Sequence, residues 1–188
     1  MHNTNEAELR RGLETKYTAA RMNLLLVFLF TAVNTVMLIV RGGSYLLFSA
    51  SVPYYLVDLG MFLCGFYPPE VYAESGYIGA EFLPVGFLAV MIVISVLITL
   101  LYLACFILSR KMRGGWLIAA LVLFSIDTLA MFYLYGFSTG MMIDILFHAW
   151  IIYELVVGIL ACKKIKALPV QSFSAEELLM TEEEEPHE

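Results

Sequence analysis

Charge is scarce in this sequence. Only 15% of its 188 residues are Asp, Glu, Lys or Arg, against about 25% in an ordinary soluble domain. With 61% of residues hydrophobic, a soluble domain of this size would leave a large apolar area in water, because small domains bury a modest share of their surface. That excludes a soluble enzyme and a disordered chain. Cysteine is also rare. Cys64, Cys105 and Cys162 lie far apart with no C-x-x-C spacing, which excludes a disulfide framework and a cysteine zinc site. The basic residues form no patch with interleaved aromatics, so no nucleic acid is expected as a partner. No N-x-Ser/Thr acceptor occurs, which points to a bacterial chain rather than one from a secretory pathway. The H-E-x-x-H, G-x-S-x-G and P-loop templates are missing too, which weighs against an enzyme.

What the chain has in excess is long apolar runs. A helix needs about 20 mostly apolar residues to cross roughly 30 Å of hydrocarbon. Four stretches qualify, at about 22–40, 83–109, 116–135 and 141–162. Each is expected to be a helix, since open strands in lipid leave backbone groups unpaired. The expected fold is therefore all-α: a polytopic membrane protein with four spans, its partner the lipid bilayer. Residues 22–167 form the transmembrane domain, residues 1–21 an amphipathic N-terminal segment, and residues 168–188 an acidic tail. The first span reads as a retained anchor rather than a cleaved signal, because its apolar core is long and Arg41 follows it.

The charges set a direction. Arg10, Arg11, Lys16 and Arg21 precede span 1, Arg110, Lys111 and Arg113 lie between spans 2 and 3, and Lys163, Lys164 and Lys166 follow span 4. With four spans these ten share one side, and only Arg41 lies on the other. The positive-inside rule then puts both termini in the cytoplasm and the protein in a bacterial plasma membrane. The net charge of −6 comes from the tail: without the seven glutamates of the last 13 residues it is +1. That tail reads as a solvated, solubilising segment.

The outer loop, 41–82, is unusually apolar and aromatic between Tyr45 and Tyr67, and is interrupted by Pro53, Asp58, Gly60 and Gly65. A fifth span would send the Arg110 cluster to the wrong side. The sequence instead predicts a re-entrant or interfacial helical element, with Pro53 in its first turn and Ser51 as its cap. Tyr54, Tyr55 and Phe62 make it a candidate surface for docking a partner membrane protein.

Ionisable residues inside spans are costly, so each needs a partner or a use. Asp127 lies in span 3; Asp144, His148 and Glu154 lie in span 4. The tight connection at 136–140 makes spans 3 and 4 an antiparallel hairpin, which brings Asp127 and His148 to one depth. Asp144 and His148 share a face at i,i+4 spacing. Asn34 in span 1 lies at a similar depth. These four are expected to form a polar layer in the outer half of the bundle, as a substrate or ion site. Glu154 is a secondary candidate, deeper and about 80° around the helix from Asp144. Ser95, Thr99 and Tyr102 form a hydroxyl stripe that reads as a packing seam.

Such a layer supports three function classes. One is a small ion- or proton-coupled transporter or channel subunit, with a homo-oligomer supplying the width that four helices lack. Another is an accessory or structural subunit that docks a partner membrane protein. The third is a membrane hydrolase, with Asp127, Asp144 and His148 as ligands for a divalent metal. No other cofactor is expected.

Overall fold

The computed structural model describes residues 2–41, 49–77, 81–136 and 141–168, with side chains from residue 6 onward. Tyr45, residues 137–140 and the acidic run of the tail lie outside the described residues. All described elements are helices: α1 (His2–Ile39), α2 (Ser51–Leu63), α3 (Pro69–Glu74), α4 (Val85–Leu108), α5 (Gly114–Tyr135) and α6 (Met142–Ala167). Four of them, α1, α4, α5 and α6, are long and apolar enough to cross a membrane.

The boundaries follow local chemistry. No Gly or Pro occurs between Leu13 and Ile39, so α1 runs unbroken until Arg41 adopts a left-handed turn (φ 57°) ahead of two glycines. The N-terminal segment runs without a break into span 1 as the first half of α1. At 38 residues, α1 is about 57 Å long, well beyond the thickness of a hydrocarbon core. Its projecting part stays attached: Leu13 packs on Ala161 and Ile165 of α6. Pro84 starts α4, left-handed Lys111 and Met112 reverse the chain before α5, Gly136 (φ 68°) ends α5, and Pro169 follows α6.

The four long helices pack as a ring in the order α1–α4–α5–α6, with α1 closing against α6. Tyr17, Leu24, Val27, Tyr102, Phe124, Ile151 and Leu155 fill the centre. Large apolar side chains such as Val93, Leu97, Ile126, Leu129 and Leu146 point outward. That inverted surface needs lipid around it, and the chain is an integral membrane protein. Helices α1 and α6 approach closely at Gly158: a Cβ there would lie 2.4 Å from the Cβ of Ala20. Small residues allow helix backbones to meet this closely.

At the end of the ring where the basic residues gather, α1 closes the open end of α4. The Tyr17 hydroxyl and the Arg21 guanidinium both donate to Ser109 or its neighbour Phe106, Arg21 at 2.9 Å to the Ser109 hydroxyl and 3.2 Å to the Phe106 carbonyl. A cation suits a helix C-terminus, where carbonyls are left without partners. At the opposite end sit α2, α3 and an aromatic cluster in which Phe62, Tyr72, Tyr77 and Phe82 rings lie 5.0–6.4 Å apart. Gly65 (φ 80°) lets the chain turn there under the Phe82 ring. Tyr67 donates to Asp58, and burial, reinforced by that bond, raises its phenol above the usual tyrosine value. The expected docking rings are thus used within the chain: Phe62 sits in this cluster and Tyr55 packs edge-on against Tyr135 at 5.8 Å.

Candidate functional site

Helix α2 starts inside the bundle and climbs outward, antiparallel to α4. The Ser95 hydroxyl of α4 donates to the carbonyl of Pro53 at 2.8 Å. Ser95 is ten residues, or about 15 Å, from the start of α4. The loop between α1 and α4 therefore enters the bundle, as a re-entrant element does, rather than lying across its end.

A helix that starts in an apolar interior must satisfy its first backbone N–H groups without water. Each one has a solution here. The N-cap is Ala50, which has no side chain able to cap. Its own N–H donates to the Thr31 hydroxyl of α1 at 2.8 Å. The next two, Ser51 and Val52, donate to Oδ2 and Oδ1 of Asp127 at 2.9 Å each. The fourth residue is Pro53, which has no N–H to satisfy. The expectation that Ser51 would cap α2 is corrected: Ser51 lies within the helix, and the cap comes from α5. The reason is geometric, since a carboxylate facing the helix start reaches two amides at once and also opposes the positive end of the helix dipole.

His148 completes the arrangement. Its Nδ1 lies 2.9 Å from the backbone carbonyl of Asp144. A carbonyl only accepts, so Nδ1 carries the hydrogen. Its Nε2 lies 3.4 Å from Oδ2 of Asp127, with both side chains almost fully buried. Each of the two groups can bind a proton, and they face each other inside the bundle. Phe124 stacks on the imidazole with centroids 4.9 Å apart, and Tyr102 meets Phe124 edge-on.

The four predicted layer residues are distributed unevenly. Asp127 and His148 meet. Asn34 turns to the other side of the α2 start, where its amide donates to the Ser49 hydroxyl at 2.8 Å. The Asp144 carboxylate lies one turn from His148 and borders a cavity of about 160 Å³ between α2, α5 and α6, lined also by Ser51, Tyr54, Met131, Tyr135 and Met141. Glu154 stands apart, partly exposed on α6. No group of three or more metal-binding side chains forms among the described residues. The expected metal trio of Asp127, Asp144 and His148 is not gathered, because Asp127 turns both oxygens to α2 and Asp144 does not reach the pair.

Sequence reasoning missed Thr31, Ser49 and the backbone of Ala50–Val52. One signal was available: a short apolar helix with Pro53 in its first turn and no capping side chain at Ala50 needs an acceptor from elsewhere, though nothing along the chain names Asp127 as that acceptor. Tyr102, predicted as a seam residue, is buried, and its hydroxyl meets no partner among the described residues. Cys64 lies at the far end of α2, where its thiol donates to the Pro84 carbonyl, so it does not approach His148. Comparison with protein-family models, curated proteins and solved structures finds no match.

Proposed function

We propose that the chain is a small, oligomeric ion- or proton-coupled transporter or channel subunit, with its site at the inner end of α2. The observation that carries this reading is the Asp127–His148 contact: two groups that can each bind a proton meet at the level where α2 begins. Helix ends inside a bilayer offer backbone groups that the helix does not use, and ion sites in membrane transporters are built there. The cavity bordered by Asp144 and Ser51 lies beside the start of α2, one turn of α6 from His148, and is where the reading has an ion approach. Asn34, on the far side of the same helix start, extends the layer. A homo-oligomer enters as the way four helices gather a wider path. The same reading takes the basic end as cytoplasmic and the membrane as a bacterial plasma membrane. A metal hydrolase gains no support, because the predicted ligands are not brought together. The accessory-subunit reading keeps one supporting feature, on α6, argued below.

The test is proton flux into proteoliposomes loaded with a pH-sensitive dye, driven by a potassium diffusion potential. The wild-type chain is expected to acidify the lumen faster than protein-free vesicles. His148→Gln keeps an N–H that can face Asp127 but takes up no proton, so it is expected to fall to the protein-free rate while unfolding within a few degrees of wild type. Wild-type protein that is folded yet no faster than empty vesicles, or a variant as fast as wild type, overturns the reading.

A further inference from the structure

At the middle of α6 one polar side chain faces out of the bundle, Tyr153, and a second, Glu154, lies partly exposed at the edge of that face. Glu154 is twelve residues from Met142 and thirteen from Ala167, so it lies about 18–20 Å from either end of the helix. A glutamate side chain is too short to reach either interface from there, unlike a long basic side chain near a helix end. Its carboxylate is partly exposed, and no hydrogen bond or ion pair reaches it among the described residues. Asp127, with three contacts to its carboxylate, shows that this chain can satisfy an intramembrane acid internally. Here it does not. Tyr153, next to it, is 61% exposed, and its hydroxyl also lacks a partner among the described residues. Tyrosine hydroxyls in membranes belong at the wet interfaces, not at mid-depth. Between the two runs an outward ridge through Trp150 and Val157, with Tyr153 on one flank and Glu154 on the other.

We propose that this face of α6 docks a transmembrane helix of another protein, one that carries a lysine or arginine at mid-membrane depth. The sign of the partner follows from what this chain lacks. Its basic residues lie outside the apolar stretches of the four long helices or at their ends. Lys163 is nine residues beyond Glu154, about 14 Å away along the axis. Arg21 is committed to the end of α4, and His148 is buried against Asp127. A second copy would thus bring another acid to the same depth, not a cation. An opposing ammonium or guanidinium neutralises Glu154 and leaves donors for the Tyr153 hydroxyl, and the ridge supplies the packing that membrane helix pairs depend on. This names the partner class for the accessory-subunit reading, on which it rests, and is independent of the Asp127–His148 site.

The experiment measures energy transfer in vesicles between the donor-labelled full chain and acceptor-labelled single-span host peptides. The peptides are leucine-rich and differ only at the central residue: Lys, Leu or Glu. The lysine peptide is expected to associate about tenfold more tightly than the leucine peptide, and the glutamate peptide no better than leucine. Glu154→Gln is expected to bring the lysine peptide close to the leucine level, and Tyr153→Phe to weaken it in part. Among the described residues nothing bonds Glu154, so the variant should melt like wild type, and its circular dichroism and proton flux serve as controls for the fold and for the other site. Equal binding of lysine and leucine peptides, or lysine binding untouched by Glu154→Gln, overturns the proposal. So does transfer between two copies of the chain that Glu154→Gln abolishes.

Discussion

Asp127 acts on α2 as a capping residue usually acts on the helix it precedes, but from another helix 76 residues further along. Its replacement by Ala would leave the amides of Ser51 and Val52 without acceptors in apolar surroundings. Each such group costs about 1–3 kcal/mol, so the combined loss is expected at about 2–5 kcal/mol. Asn keeps one acceptor oxygen and should lose less. Thr31→Val, which strands only the Ala50 amide, should cost about 1 kcal/mol at the least. Reversible unfolding of purified protein in mixed micelles is expected to rank wild type above Thr31→Val and Asp127→Asn, with Asp127→Ala lowest. Asp127→Ala unfolding at the wild-type midpoint would mean that α2 does not depend on this cap. The pairing of Asp127 with His148 was legible because a short connection fixes the depth of both. The cap was not, because no spacing along the chain links residue 127 to residue 51.

At the scale of elements, the contact of α1 with α6 turns on one hydrogen atom. At Gly158 these helices approach closely, and an added Cβ would lie 2.4 Å from the Cβ of Ala20 and 3.4 Å from Leu117. Neither Cβ is a flexible tip, so the helices themselves must separate. Gly158→Ala is expected to cost about 1–3 kcal/mol by overpacking, and Gly158→Leu more. Because the obstacle is the Ala20 methyl, Ala20→Gly in the same chain should restore part of the Gly158→Ala loss, which a double-mutant cycle reads directly. Additive losses would place the strain elsewhere. The long helices themselves were readable from apolar length and their Pro or Gly boundaries. The form of α2 was readable only as a choice between lying on the membrane and entering it. Its sequence has no polar face long enough to decide, and the depth is set by Ser95, Thr31 and Asp127 on three other helices.

Over the whole molecule, the number of crossings decides which surfaces share a compartment. Four helices are long enough to cross; α2 enters and leaves on the same side, so it adds none. In the proposed topology residues 2 and 168 face one compartment, together with the Arg110–Arg113 turn, and the α2–α3 cap faces the other. Ten of eleven basic residues then lie on the first side, which the proposed orientation, by the positive-inside rule, takes as cytoplasmic. Single cysteines report this cleanly because Cys105 and Cys162 are buried, and Cys64 can be changed to Ser to remove the partly exposed thiol. In that background a membrane-impermeant maleimide added to intact cells is expected to label Glu70→Cys on α3. It should label Glu8→Cys on α1 only after the membrane is opened. The reverse pattern would put the basic end outside and overturn the orientation. Labelling of both positions in intact cells would break the even count of crossings, and would require α2 to pass through the membrane rather than return.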